Sequence, residues 1–380
     1  MERYSHGGQI YDATGNVETR FKSGGTVGTI RNDSKNLSRY EHGGQVYDES
    51  GNVGNFIDFS ANINPLGLSE KILRALTENL RGVVNYPDPN ATELKRAISE
   101  RYGVEEKNLV LLNGASEFFY LYLNATRPKK VLIPVPSFVE YERAARAAGC
   151  DVKFFVTDAT DDFSIDIDAL IDIAKNFDCV IIGRPNNPTG NLIDAEKILR
   201  LAQVTKVLVD ESFIDFIDAE SVRKFVSEKI SVVQSLTKIF AIPGLRLGFA
   251  VVEENLARKL NLSKDVWNVN FLAQKAGAAA LTDEDFFQRT RAWLSTEKIF
   301  FTERLNHLYG VHFFPPTANF VLLKFDTITG AEKVLHNLRG EKILLRSCEN
   351  FLGLNGSYLR SAIRSREENI LLFNALEKFL

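Results

Sequence analysis

The sequence has little excess charge, little sulfur and no long apolar run, and each shortage excludes a class of protein. Its 46 basic residues nearly balance 49 acidic ones, and the net charge of -3 gives no electrostatic reason to expect nucleic acid or an anionic membrane as a partner. No apolar run approaches the roughly 20 residues of a membrane-spanning helix. With 380 residues, the chain has room for about two domains.

Cysteine and histidine are both scarce. Cys150, Cys179 and Cys348 stand alone, so they form neither a disulfide framework nor the spacing of metal ligands. The five histidines are scattered as well, and we expect no metal site. Isolated cysteines and a polar start without a secretory signal pattern are typical of proteins in the reducing cytoplasm, which is where we expect this one.

The N-terminal arm, residues 1–56, contains a duplicated segment. Residues 3–17 are nearly repeated by residues 39–53, with a His-Gly-Gly sequence in each copy. One duplication is not a repeat fold, since such folds need at least about three units to bury a core. We expect the copy with His42 to be the working one, because it joins the folded body directly. The purpose of the copy with His6 stays open.

From Asn108 onwards, apolar strands alternate with helices, and this order predicts an α/β fold with a mostly parallel central sheet and helices on both faces. The arm is followed by a large domain, residues 57–265, and by a smaller α+β domain, residues 266–380. In such sheets, ligands bind beyond the carboxyl ends of the strands. Five residues lie just past the ends of predicted strands: Gly114, Phe138, Asn187, Asp210 and Lys238.

Apolar runs and caps give the bounds of the main elements. The predicted strands of the large domain are 109–112, 131–135, 152–156, 179–182, 206–210, 230–236 and 247–252. In the small domain they are 319–324, 343–346 and 358–362. Helices are predicted at 92–102 and 366–380, and a helical stretch with breaks at 256–309.

Lys238 follows an apolar predicted strand, where a lysine with only a structural role is costly because a buried ammonium needs a partner. Desolvation lowers the pKa of a lysine and makes it a nucleophile toward an aldehyde. Arg246 has the planar guanidinium that suits a phosphate, and Ser235 supplies a hydroxyl. An aldehyde and a phosphate occur together in pyridoxal phosphate. The alternative interpretation is a surface lysine and arginine on either side of a turn.

Four motifs together resemble those of the fold-type I pyridoxal-phosphate enzymes, the aspartate aminotransferase superfamily. The motifs are Asn-Asn-Pro-Thr-Gly at 186–190, Asp-Glu at 210–211, Ser-Leu-Thr-Lys at 235–238 and Pro-Gly-Leu-Arg-Leu-Gly at 243–248. The resemblance covers the chain from about Arg39 to its end. It implies pyridoxal 5'-phosphate as the cofactor and a small-molecule substrate.

The resemblance also assigns roles to single residues. Lys238 matches the Schiff-base lysine, which moves protons at the substrate Cα, and Asp210 matches the acid that pairs with the pyridine nitrogen. Asn187 matches the amide that binds the 3-oxygen of the ring, and Phe138 the aromatic side chain that stacks on it. A helix N-cap is the alternative for Asp210, and core packing for Phe138. The matches to the phosphate cup are Gly114, Ala115, Ser116, Ser235 and Arg246.

Three further positions matter. Tyr86 matches a tyrosine that reaches the cofactor phosphate of a second subunit, which implies a homodimer with shared sites. Arg360 matches the arginine that binds a substrate carboxylate, and a surface arginine on a strand is the alternative. Phe213 stands where most relatives have a tyrosine that also binds the 3-oxygen, so that bond should be absent.

Within the superfamily, the chain resembles the threonine-phosphate decarboxylases of cobalamin biosynthesis and the histidinol-phosphate aminotransferases. The His-Gly-Gly arm with the 59–67 segment, Phe213, and Arg364 favour the decarboxylases. We therefore expect His42, Asn64, Arg360 and Arg364 to hold the anionic groups of O-phospho-L-threonine or O-phospho-L-serine. The preference between these two substrates stays open.

Arg184 departs from the resemblance, which implies a neutral residue there. The sequence leaves two alternatives open, a contact with the substrate phosphate or exposure to solvent. A different class of protein, a non-catalytic regulator with this fold joined to a DNA-binding helix-turn-helix, is disfavoured. The N-terminal extension is too short, too rich in glycine and not basic enough for such a module.

Overall fold

The computed structural model describes residues 9–11, 17–19, 42–48 and 50–380. Within them, the largest sheet has nine strands. In spatial order these are β2 (Val17–Thr19), β1 (Gln9–Tyr11), β6 (Asp151–Val156), β5 (Lys130–Val135), β7 (Cys179–Gly183), β8 (Lys206–Asp210), β9 (Ile230–Ser235), β10 (Gly248–Val251) and β4 (Leu109–Leu112). None of the described helices could cross a membrane. The cytoplasmic location stays a prediction.

The five central strands, β6, β5, β7, β8 and β9, run parallel to their neighbours. β10 runs opposite to β9, and β4 runs opposite to β10. β4 therefore points the same way as the parallel strands, and its carboxyl end lies at the same edge of the sheet. The predicted mostly parallel sheet is confirmed.

Helices cover both faces of this sheet. Successive side chains of a strand point to opposite faces, and β5 shows the result. Val131 and Ile133 pack in one apolar cluster with Phe118 and Ala144, while Leu132 packs in another with Leu170 and Ile198 on the opposite face. The helices that supply these contacts are α3 (Glu117–Thr126), α4 (Glu140–Ala147), α5 (Ile167–Ala174) and α6 (Ala195–Ala202).

A second, antiparallel sheet belongs to the C-terminal part. Its strands are β11 (Val311–Phe314), β12 (Phe320–Phe325), β15 (Tyr358–Ala362) and β14 (Arg346–Ser347), in that order, and β11 was not predicted. β3 (Ile57–Asp58) pairs with β13 (Ile343–Leu344), so the chain just after the arm joins the C-terminal part. One apolar cluster runs through both parts. The boundary after residue 265 stays a prediction.

The remaining helices surround these sheets. They are α1 (Glu70–Asn79), α2 (Thr92–Tyr102), α7 (Leu236–Ile239), α8 (Glu254–Ser263), α9 (Phe271–Leu281), α10 (Glu284–Leu305), α11 (Ile328–Gly340) and α12 (Arg366–Phe379). The predicted helical stretch 256–309 is thus three helices. The Asn270 side chain accepts a hydrogen bond from the Ala273 backbone and starts α9 after a break.

Both copies of the duplicated segment form the same backbone pairing. Tyr11 pairs with Val17 in the first copy, and Tyr47 pairs with Val53 in the second. The first copy extends the large sheet, because β1 pairs antiparallel with β6, the outermost of the parallel strands. His6 lies outside the described residues.

Candidate active site

The loops that follow the parallel strands meet at one edge of the large sheet. The Asn186 side chain donates to the Pro136 carbonyl at 2.9 Å, which links the loops after β7 and β5. The Arg184 backbone N–H donates to the Asp210 carbonyl at 2.8 Å, which links β7 to β8. The residues predicted from strand ends therefore lie together, as expected for an α/β sheet.

Lys238 lies in α7, directly after β9. Its Nζ donates to the Ser235 hydroxyl at 3.1 Å and lies 5.7 Å from the centre of the Phe213 ring. Burial lowers the pKa of Lys238 to about 8; the charge of Asp210 opposes this shift, and the charges of Arg246 and Arg360 add to it. A fraction of neutral amine is then present near neutral pH, as a nucleophile requires.

Asp210 ends β8 and is buried. One carboxylate oxygen accepts the Tyr141 hydroxyl at 2.8 Å, and the other accepts the Ser212 backbone N–H at 2.9 Å. Burial and the Asp210 charge hold the pKa of Tyr141 well above its usual value, so its hydroxyl stays a donor. Tyr141 was not predicted. The spacing of Phe138 and Tyr141, one turn apart at the start of a helix, was the available signal, because it puts both rings on one side, with their centres 5.6 Å apart.

The residues predicted to bind the cofactor phosphate include the turn before α3 and Arg246, and these two lie against each other. A Cβ on Gly114 would lie 2.2 Å from an Arg246 guanidinium nitrogen, so glycine is required for the guanidinium to lie against this turn. Gly114 also has φ of +86°, which favours glycine. Arg246 makes no ion pair with the described residues, and its recorded hydrogen bond is a long one to the Pro243 carbonyl. A cation without a counter-charge beside a glycine turn fits a phosphate.

The other residues predicted to bind the phosphate lie directly after Gly114 and at the end of β9. Ala115 is buried, and Ser116 immediately precedes α3, where its side chain makes no capping bond. The Ser235 hydroxyl lies 2.7 Å from that of Thr237. These groups, with Lys238 and Asp210, fit the aldehyde, phosphate and ring nitrogen of pyridoxal phosphate.

Arg360 is buried in β15 at the same edge. Its guanidinium donates to the Asn187 side chain and to the Ser60 carbonyl, and its Nε has no partner among the described residues. Burial lowers the pKa of Arg360 to about 10, with the nearby Arg346 charge adding to the shift and Cys348 and Asp58 opposing it. Among the described residues Arg360 makes no ion pair. A buried cation in this state is suited to an anionic ligand.

Arg346 was missed by the sequence analysis. The antiparallel register of β14 and β15 places it directly opposite Arg360. It is buried, and its guanidinium donates to Asn350 at 2.7 Å. Arg346 belongs to the predicted strand 343–346. An arginine in a strand with one buried face could have indicated a functional cation, and this was the available signal.

The second His-Gly-Gly copy reaches this group of residues. The His42 ring lies 5.6 Å from the Phe138 ring, and the Gly44 backbone N–H donates to the Ser60 hydroxyl at 2.8 Å. A Cβ on Gly43 would lie 2.1 Å from the Ser60 carbonyl oxygen, so only glycine allows this approach. The same carbonyl accepts from Arg360. The arm therefore lies beside the candidate substrate arginine.

Asn64 and Arg364 both make side-chain contacts within the protein, and the prediction that they bind substrate stays a prediction. Both hydrogens of the Asn64 amide are donated within the protein, to Ile239 and to Thr290, each at 2.8 Å. Asn64 therefore supports α7 and has no side-chain donor left for an anion. Arg364 is paired with Glu368 at 2.7 Å and also donates to a backbone carbonyl.

Arg184 takes neither of its two predicted alternatives. It is buried and forms an ion pair with the fully buried Glu211 at 2.7 Å, and it also donates to the Ile193 carbonyl at 2.8 Å. It is therefore a structural arginine behind the site. The sequence signal for this pairing was Glu211, the second acid of the Asp-Glu motif, because a buried acid needs a partner.

Tyr86 is exposed and stacks on Trp267, with ring centres 4.1 Å apart. Its role stays a prediction.

Comparisons with known proteins show the family to which the chain belongs. Residues 54–372 match the family aminotransferase class I and II. The threonine-phosphate decarboxylase of Salmonella typhimurium is 34% identical over 336 residues, which are 85% of this chain and 91% of that protein. The L-threonine-O-3-phosphate decarboxylase structure from Porphyromonas gingivalis has a TM-score of 0.76 at 29% identity, covering 84% of this chain and 98% of that one.

The histidinol-phosphate aminotransferase structure from Clostridium acetobutylicum is also similar, with a TM-score of 0.79 at 33% identity and coverage of 84% and 98%. Family, fold and cofactor, each predicted from sequence motifs, are therefore confirmed. The chain belongs to the aminotransferase class I and II family and is a fold-type I enzyme that depends on pyridoxal phosphate.

Proposed function

We propose that this enzyme decarboxylates O-phospho-L-threonine or O-phospho-L-serine. The products would be aminopropanol phosphate or ethanolamine phosphate, for the linker of the cobalamin nucleotide loop. The observation that carries the proposal is the pair of opposed buried arginines, Arg346 and Arg360, since this substrate brings two anionic groups. Similarity to named threonine-phosphate decarboxylases supports the same choice.

Each residue has a defined task in the proposed reaction. Pyridoxal phosphate, when bound, supplies an electron sink for negative charge at the substrate Cα. Arg360 and Arg346 hold the carboxylate and the phosphate, with His42 beside them. Because these anchors set which bond at Cα faces the electron sink, they decide between loss of carbon dioxide and loss of a proton. Lys238, with a pKa of about 8, gives a proton to Cα after carbon dioxide leaves.

The two candidate substrates differ by one methyl group, which a pocket discriminates by about 1–3 kcal/mol. The second candidate function is a histidinol-phosphate-type aminotransferase, which the similarity to the Clostridium acetobutylicum structure favours. The decarboxylase would release the amino group with its product, whereas the aminotransferase would leave the amino group on the cofactor.

Carbon dioxide release decides between these functions. The cofactor-loaded enzyme is incubated with O-phospho-L-threonine in the absence of any keto acid. We expect repeated turnover with one carbon dioxide per phosphorylated amine, while the cofactor keeps its aldehyde form. Conversion of the cofactor to its amine form by histidinol phosphate, without carbon dioxide from phosphothreonine, would contradict the proposal and support the aminotransferase.

A second copy of the chain is the proposed partner. Apolar side chains near Tyr86 are exposed in the single chain, which is unusual for a monomer surface. They are Leu80, Val83, Val84, Leu262, Val266 and Trp267. We propose that a second subunit covers them and that Tyr86 then reaches the cofactor phosphate of that subunit.

A charge placed in this patch should dissociate the dimer. We expect the unaltered chain to sediment at twice its own mass and Val84→Asp, at a side chain that is 83% exposed, to sediment as a monomer. Tyr309→Asp is the control, because Tyr309 is 91% exposed but precedes β11, outside the patch. A monomeric unaltered chain, or equal dissociation by both variants, would contradict this assignment.

A further inference from the structure

Glu140 is a buried acid at the start of α4, two residues after Phe138, and it has no role in the function proposed above. Its side chain accepts three hydrogen bonds. His42 Nε2 lies 2.9 Å from one carboxylate oxygen, and Arg143 lies 3.2 Å from the same oxygen. The Tyr120 hydroxyl lies 2.8 Å from the other.

These three contacts keep the carboxylate ionised in spite of its burial. Burial raises the pKa of Glu140, but the hydrogen bonds from His42, Tyr120 and Arg143 more than offset it and leave this pKa below its usual value. An ionised carboxylate can only accept hydrogen bonds. The proton of the shared bond is therefore on His42 Nε2, which leaves Nδ1 as the ring nitrogen that Glu140 does not use.

The contact also determines where the arm lies. The His42–Gly44 segment is bound at two places, by Glu140 at its first residue and by Ser60 at its last two. Ser60 does not orient the imidazole. Its hydroxyl accepts a hydrogen bond from the Gly44 backbone, and its carbonyl lies close to Gly43. The His42 side chain itself is 43% exposed, and among the described residues its side-chain hydrogen bond is the one to Glu140.

We propose that Glu140 is a positioning residue that acts through His42, by fixing the imidazole beside Phe138 at the substrate side of the site. The inference rests on the proposed function, in which His42 helps to hold an anionic group of the substrate. Glu140 itself touches neither substrate nor cofactor in this proposal. Its effect should therefore require His42.

A double-mutant cycle tests this dependence. The cofactor-loaded enzyme is prepared as the unaltered chain and as Glu140→Gln, His42→Ala and the double variant. The affinity for O-phospho-L-threonine is read from the change in cofactor absorbance on mixing, and kcat and KM from carbon dioxide release. We expect Glu140→Gln to weaken affinity and raise KM about tenfold, the size of a lost charge-assisted hydrogen bond, with kcat changed less than about twofold. In the His42→Ala background, the same change should alter KM less than about twofold.

Glu142→Gln is the matched control. Glu142 is also a buried acid of α4, and among the described residues it pairs with Arg146 at 2.7 Å, whereas His42 bonds to Glu140. Its replacement should leave KM unchanged. Glu140→Ala, with the cofactor absorbance as a check of folding, should exceed the effect of Glu140→Gln and should depend on His42 in the same way.

Equal effects of Glu140→Gln with and without His42 would overturn the inference, as would no effect in the unaltered background. Failure of the proposed function has a different signature. In that case phosphothreonine binds without release of carbon dioxide, and the affinity cycle still measures the coupling of Glu140 to His42. If phosphothreonine leaves the cofactor absorbance of the unaltered chain unchanged, both proposals are wrong.

Discussion

Replacing Lys238 with alanine should abolish turnover and remove the visible absorbance that the cofactor has when it is joined to the enzyme. Lys238 is a partly buried amine whose pKa is lowered to about 8. Alanine has no amine, so the variant cannot join the cofactor at this position. The loss of its proton transfer alone should cost about 10²- to 10⁴-fold in kcat. Absorbance spectra and carbon dioxide release measure the two losses.

Lys264 provides the matched control for this experiment. Burial also lowers its pKa to about 8, so it shares the main electrostatic property of Lys238. Its Nζ donates to the Leu111 carbonyl at 2.8 Å, on the outer side of the edge strand β4. Lys264→Ala should keep both absorbance and turnover. If Lys238→Ala kept them, or if Lys264→Ala lost them, the assignment of the reactive lysine would be wrong.

Replacing Arg360 with alanine should lower kcat/KM for phosphothreonine on the order of 100-fold or more, because truncating one member of a buried charge pair typically costs about 2–5 kcal/mol. Most of the effect should appear in KM. Arg360→Lys should not restore activity, since one ammonium cannot contact Asn187, Ser60 and a substrate carboxylate with the geometry of a guanidinium. Steady-state kinetics with all three proteins measure this.

Arg364→Ala is the control for that series. Arg364 lies four residues away on the chain but is paired with Glu368. Its loss should change the thermal midpoint more than KM. A larger rise of KM in Arg364→Ala than in Arg360→Ala would instead support the original sequence prediction that Arg364 binds substrate.

The positions of the cofactor residues could be predicted from sequence because each depends on local structure. Asp210 and Lys238 follow short apolar strands, and parallel strands bring their carboxyl ends to one edge. Gly114 lies between an apolar strand and a helix, and a glycine at that place in the sequence predicts a tight turn. For such residues, the predicted strand and the turn after it are sufficient to predict their position at the carboxyl edge of the sheet.

The contacts that could not be predicted from the sequence are made with partners far away in the chain. Asn64 is explained by Ile239 and Thr290, and Glu140 by His42, which lies 98 positions earlier. Arg346 depends on the register of two strands. A sequence gives the chemical type of such a residue but not which of its donors and acceptors are bonded within the protein. It therefore does not distinguish Asn64 and Arg364 from Arg360 as candidates for binding substrate.

The short segment from Ile57 to Asn64 ties distant parts of the enzyme together. Its backbone bonds to Leu344 and Ala362 of the C-terminal part and to Lys238 of α7, and it carries Ser60, on which both the arm and Arg360 rest. Any tilt of the C-terminal part would be transmitted along this segment to the reactive amine. A displacement of the C-terminal part would therefore move His42 and Arg360 together relative to Lys238.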